Sequence, residues 1–253
     1  MQRFGDADDP RRRILIRALA AGFFAASTGA GNAIAAGIFG GRPAKLPPGQ
    51  SIYSVDGTCK INGKPATIDS HIKPGDTVET GPRSQLIFVV GETSMLLRND
   101  SNLVLSAAAD DPVSEIVGNM KLLNGKLLSV FAPGRPVRIE TPSASIGIRG
   151  TGLYLEADPE QTYFCTCYGA TKVAAKDDPQ STDTVVSTHH NRPLYILPGN
   201  KNPGKSILPA PFKNHTDQEL ALIETLVGRE LPRSFPALPD ARYGVPSMRN
   251  YTP

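Results

Sequence analysis

The sequence predicts an all-β protein, a sandwich or a rolled sheet, with one C-terminal α-helix packed on it. Three observations carry that reading. Short apolar runs alternate with turn signals for about 120 residues after residue 50, with no helical period among them. Gly 24 and Pro 23, with aromatics at 6% and no Trp, favour many turns and short strands. One late segment, opened by Thr216-Asp217-Gln218-Glu219, carries the capping-box pattern and an apolar stripe at helical spacing.

Taken in order, Ser51–Val55 runs into Asp56-Gly57, and Thr58–Ile61 into Asn62-Gly63, a strong hairpin signal. Pro74-Gly75-Asp76 leads into Thr77–Thr80, and Gly81-Pro82 into Ser84–Val90. Further strands are expected at Ser94–Leu97, Leu103–Leu105, Met120–Leu123, Lys126–Phe131, Val137–Glu140 and Ser145–Ile148. Asp110–Ser114 is polar enough for a loop. Tyr163–Gly169 reads as a strand rich in aromatics and Thr. The helix should run from about Asp217 to Val227 and stop at Gly228, burying Leu220, Ile223, Leu226 and Val227.

The chain of 253 residues accommodates one domain with extensions, or two small ones. Its formal charge is +3, but the first 35 residues hold five arginines against three aspartates, so the remainder is +1. That is no footprint for nucleic acid, which needs clustered cations. Three cysteines are too few for a disulfide scaffold. Residues 1–35 read as an export signal. Arg12-Arg13-Ile14-Leu15-Ile16-Arg17 has twin-arginine spacing, the run that follows is weakly apolar, and Ala33-Ile34-Ala35 suits signal peptidase. A general secretory signal and an uncleaved anchor are the alternatives, and an anchor would be the chain's one membrane contact. A linker follows at 36–50. The expected localisation is the periplasm or cell envelope.

Asp56-Gly57 through Lys60-Ile61-Asn62-Gly63-Lys64-Pro65-Ala66, then Ile72-Lys73-Pro74-Gly75-Asp76-Thr77-Val78-Glu79-Thr80-Gly81, resembles the first half of the FecR domain. Gly125-Lys126-Leu127 and Thr141-Pro142-Ser143-Ala144-Ser145-Ile146-Gly147-Ile148-Arg149-Gly150-Thr151 resemble its second half. The likeness covers residues 51–175. It implies an extracytoplasmic β domain. Named members of that family relay the state of an outer-membrane iron-siderophore receptor to a sigma factor, and others are exported binding modules. Only ten residues precede the arginines, so a sigma-regulating cytoplasmic segment is not expected here. Gly147, Gly150 and Gly152 are expected to mark bends or close packing, and Arg149 to pin the turn by hydrogen-bonding loop carbonyls, the alternative being a guanidinium that contacts a ligand.

The candidate chemistry lies beyond that signature. In a strand, residues i and i+2 face the same side, so Cys165 and Cys167 project together. Their parallel Cβ vectors disfavour a disulfide but suit two thiolates on one metal ion. His189, His190 and His215 follow, and the two cysteines, one of the adjacent histidines and His215 would form a Cys₂His₂ set. Zinc ranks first; copper or an iron–sulfur centre is less suited, because the paired Cys–His pattern of Rieske ligation is absent. A redox thiol pair, or buried core thiols with unrelated loop histidines, are the other readings. Cys59 reads as a small core residue and His71 as a surface one. Asp110-Asp111 and Asp177-Asp178 read as solvated loop acids, and no nucleophile elbow or Ser/His/Asp order appears. The expected organisation is completed by a Cys/His-associated extension and helix at 176–231 and a Pro-rich tail at 232–253. Together these features suggest a non-enzymatic binding or scaffolding module with a protein or glycan partner at the envelope. The rivals are a periplasmic metallo- or thiol-redox protein and a signal-relay component of iron uptake.

Overall fold

The computed structural model describes residues 43–108, 116–198 and 204–236. The segment read as an export signal, the Asp110-Asp111 pair and residues 237–253 of the tail lie outside the described residues. No described helix is long and apolar enough to cross a membrane.

Among the described residues, fourteen strands form one hydrogen-bonded sheet, followed by one helix, α1 (Asp217–Leu226). The first strands are β1 (Ile52–Asp56), β2 (Cys59–Ile61), β3 (Lys64–Pro65) and β4 (Thr77–Thr80). Asn62 and Gly63 both take positive φ, 50° and 76°, as a two-residue type I′ hairpin between β2 and β3 requires. Strands β5 (Gln85–Val90), β6 (Thr93–Leu97) and β7 (Ser101–Ala107) follow, then β8 (Val117–Val130). Here the structure corrects the sequence reading: Met120–Leu123 and Lys126–Val130 belong to one long strand, not two, and Phe131 lies just beyond it.

Strand β8 changes partners along its length. Its first half pairs with β7 and, in parallel, with β9 (Pro136–Glu140); its second half pairs with β6 and with β10 (Ala144–Ala157). The change falls at Gly125, with φ 98°. A Cβ there would stand 2.4 Å from the Ser101 backbone Cα. Gly125→Ala therefore combines a left-handed backbone with a clash that a side-chain rotation cannot relieve. We expect it to destabilise the protein by about 1–3 kcal/mol or more, read as a lower urea midpoint at unchanged slope.

Strand β10 and its antiparallel neighbour β11 (Thr162–Ala175) bend together, with a register shift between Arg149 and Gly152. Gly150 (φ 62°) lies where a Cβ would be 2.7 Å from Pro133 Cα, and at Gly152 a Cβ would meet the Tyr168 ring at 2.5 Å. Gly147 departs from the expectation: its nearest neighbour would be a carbonyl at 3.8 Å, so it has room for a side chain. Arg149 departs too. It is exposed and makes no hydrogen bond to a loop carbonyl among the described residues.

Three strands that the sequence did not signal extend the sheet within 176–231: β12 (Asp178–Ser187), β13 (Leu194–Ile196) and β14 (Ile207–Pro209). Polar residues dominate β12, which hides its period. Asp177 is exposed, but Asp178 is not a solvated loop acid. It is 3% exposed, and its Oδ2 accepts hydrogen bonds from Ser181 Oγ (2.6 Å), Ser206 Oγ (2.8 Å) and the Gly204 N–H (2.7 Å).

The sheet wraps a main core that takes side chains from β1 through β13, including Phe88, Leu97, Leu155 and Phe164. Cys59 is buried in it, as expected, and His71 is exposed. A second apolar cluster lies on the opposite face. There Ile87, Val89, Leu96, Leu128 and Val130 are covered by Leu220, Ile223 and Leu226 of α1. This explains why β6 is buried at all five positions: core on one side, helix on the other. The helix begins at a full capping box, with Thr216 and Glu219 exchanging hydrogen bonds, and ends at Gly228 with φ 75°. Glu219 also pairs with Arg98 at 2.8 Å, both side chains under 10% exposed. Leu46 packs in the same cluster, and its N–H donates to Leu226 O.

Candidate metal centre

At one end of the helix-covered face, β11 supplies Tyr163, Cys165 and Cys167 to the second cluster, while Phe164 turns into the main core. The period-2 expectation therefore places both thiols on one side. Both are fully buried, and neither forms a disulfide. His190 and His215 arrive from different elements. His190 sits in the β12–β13 connection with φ 51°, its N–H donating to Cys167 O at 2.9 Å. Asn191 braces that turn: its Oδ1 accepts from the backbone N–H groups of Thr188 (2.7 Å) and His189 (3.0 Å). His215 immediately precedes the Thr216 N-cap, so the capping box fixes where its ring is held.

The structure brings Cys165, Cys167, His190 and His215 together, all four buried, with one ligand atom of each within 4.8 Å of every other. His190 Nδ1 lies 3.6 Å from Cys165 Sγ and 3.1 Å from His215 Nε2. Bond lengths near 2.0–2.3 Å around tetrahedral zinc put ligand atoms ~3.3–3.8 Å apart, so these two edges need little adjustment. His189 does not join them. Its half-exposed ring meets Asp217 instead, and with His190 and Asp217 forms a separate group of possible ligands.

The hydrogen bonds behind the two imidazoles settle which nitrogens face inward with lone pairs. His215 Nδ1 lies 2.8 Å from Lys213 O, which can only accept, so Nδ1 carries the proton. His190 Nε2 lies 3.0 Å from Asp217 Oδ1, so it too is the donor. Neutral rings would then point two lone pairs at each other across 3.1 Å. Such an arrangement calls for a cation, either a proton or a metal ion. Carbonyl or carboxylate groups behind ligating histidines are the usual way of fixing this tautomer.

The surroundings are aromatic. His215 stacks on Tyr154 at 4.5 Å between centroids, and Phe212 packs on both rings at 4.6–4.7 Å. Phe235, from the segment read as a Pro-rich tail, is buried and packs on His189 at 4.7 Å and on His190 at 5.5 Å. Ser234 Oγ donates to Thr188 O, tying that segment down.

The electrostatics favour charge on one sulfur. A hydrogen bond from Cys167 is the largest influence holding the Cys165 thiol down, to about 4, against burial, and both imidazoles assist. Burial, then Cys165, pushes Cys167 well up. Burial disfavours the charged His190, but Cys165 and Asp217 outweigh it and raise that ring. In metal-free protein the pH dependence follows. The Cys165 contribution is full above the ordinary thiol value of 9.0 and fades as pH falls through about 4. The His190 contribution is full below 6.5 and fades as pH rises through its raised value, and Cys167 opposes unfolding less above 9.0. Ultraviolet thiolate absorbance should show one thiolate per chain at neutral pH, with the two others, Cys59 pushed up to about 11 and Cys167, appearing only in alkali.

No protein-family model and no curated protein matches the chain. Two crystal structures, at 1.65 and 2.50 Å resolution, of a "putative anti-sigma factor" from Parabacteroides distasonis ATCC 8503 are similar to it. Each is 16% identical with a TM-score of 0.41, covering 57% of this chain and 62% of that one. The likeness thus spans less than two thirds of that protein.

Proposed function

We propose that this chain is an exported, non-enzymatic binding or scaffolding module of the FecR-domain type, working at the cell envelope with a protein or glycan partner. In this reading Cys165, Cys167, His190 and His215 hold one zinc ion. The ion ties β11, the β12–β13 turn and the start of α1 into one unit. The observation that carries it is the convergence of four buried donors, with the outer nitrogen of each imidazole already committed to a carbonyl or carboxylate acceptor. Two thiolates and Zn²⁺ sum to zero charge, which a buried site tolerates far better than a bare thiolate. The export and family elements rest on the N-terminal pattern and the motifs over residues 51–175.

The Cys165 thiolate, stabilised by Cys167 and His190, favours a second reading as a thiol-redox centre. Burial weighs against it, because exchange requires an attacking partner to reach the sulfur, and both sulfurs are 0% exposed. Elemental analysis of protein purified from the periplasm separates the two. We expect one zinc per chain, abolished in His190→Ala. Metal-free protein whose thiols react rapidly with a small disulfide would establish the redox reading instead.

A further inference from the structure

Asp217 lies outside the four-donor group, yet its carboxylate meets both neighbouring histidines. Oδ1 is 3.0 Å from His190 Nε2 and Oδ2 is 3.0 Å from His189 Nε2. An ionised carboxylate only accepts, so each ring must present Nε2–H to it. For His190 this leaves the Nδ1 lone pair facing Cys165 and His215. For His189 the proton-bearing nitrogen faces Asp217, and the ring stands edge-on to His190 at 4.9 Å between centroids. The group of His189, His190 and Asp217 is therefore poorly suited to a second cation. A metal there would need the His190 nitrogen that already carries the proton, with Nδ1 engaged on the other side.

We propose that Asp217 is the positioning residue of the centre, holding His190 in the tautomer that binds metal, and that His189 is a second claimant on the same carboxylate and not a ligand. This rests on the zinc reading above and assigns the control of its affinity. Asparagine at 217 offers one accepting oxygen and one donating amide. It can keep only one of the two rings as an Nε2–H tautomer, so the rings compete for it. Removing His189 frees the asparagine oxygen for His190.

The test is a chelator-competition titration of the full chain with zinc, and with cobalt, whose thiolate charge-transfer band reports sulfur ligation. Asp217→Asn should weaken binding by about 10–100-fold, the usual loss on removing an outer partner of a ligating histidine. The cobalt–thiolate band should persist at saturation. His189→Ala should keep wild-type affinity, and His189→Ala/Asp217→Asn should recover most of what Asp217→Asn loses. Wild-type affinity in Asp217→Asn, or no recovery in the double variant, overturns the proposal. So does a loss in His189→Ala as large as that in His190→Ala, which would make His189 a ligand. A metal-free melting midpoint that falls in step with affinity would mark Asp217 as structural only and also overturns it. Wild-type protein that binds neither metal overturns the zinc reading itself, a result distinct from all of these.

Discussion

Cys165→Ser is expected to lose zinc altogether and, with it, the extra stability that the metal gives the wild-type protein. Removing a ligand should exceed the ~10–100-fold loss expected for an outer partner. At free zinc a thousandfold above the dissociation constant, a bound metal stabilises the folded state by ~4.1 kcal/mol. At roughly 2–4 °C per kcal/mol for a chain of this size, stripping zinc from the wild type should lower its melting midpoint by ~8–16 °C. Adding zinc back should restore the wild type and leave Cys165→Ser unchanged. The loss should also be local. The main core holds residues from β1 through β13 and does not include the site, so the sheet should persist without metal. Hydrogen exchange should instead accelerate in three segments: the Cys165–Cys167 stretch of β11, the turn around His190, and His215 with the first turns of α1. Uniform acceleration throughout the chain would contradict this division.

The second large effect is expected at Glu219, 121 residues away in sequence from its partner Arg98. Glu219 Oε1 accepts from Arg98 Nη2 at 2.8 Å, while Oε2 accepts from the Thr216 N–H at 2.9 Å. One side chain thus completes the capping box and neutralises a buried guanidinium. Glu219→Ala should destabilise the protein by about 3–5 kcal/mol, because it leaves a buried charge without its counter-ion. Loss of the cap adds to this, by about 0.5–2 kcal/mol in comparable sites. Glu219→Gln retains an acceptor for the Thr216 N–H and should fall between the wild type and Glu219→Ala. Denaturant unfolding gives the ranking, and a loss below 1 kcal/mol in Glu219→Ala would show that α1 is held by its apolar stripe alone. Because Glu219 lies one turn from His215, Glu219→Ala should also weaken zinc binding, which connects the two predictions through the helix start.

What could be read beforehand follows from how far each signal reaches along the chain. The Asn62-Gly63 turn, the capping box and the shared face of Cys165 and Cys167 are local, fixed by backbone periods of a few residues. The merging of two apolar runs into β8 was not legible. The residues between the two runs, Asn124 and Gly125, lie in a strand that switches partners, which depends on β6 and β10 as much as on β8 itself. Strand β12 was hidden because pairing with β11, not apolar alternation, defines it. Among the histidines, composition suggested a ligand set but gave no means of separating His189 from His190. That choice is made by the left-handed turn at His190 and the N–H it donates to Cys167 O. Asp217 was visible as part of a capping sequence. Its second role needed the helix start and the β12–β13 turn to meet in space, as did the burial of Phe235 over both rings.

The most direct measurement is X-ray absorption at the zinc edge on protein purified with its native metal. The account predicts one zinc per chain in a four-coordinate shell of two sulfurs near ~2.3 Å and two imidazole nitrogens near ~2.0–2.1 Å. Metal-free protein, or zinc in a shell made mainly of oxygen, would contradict it.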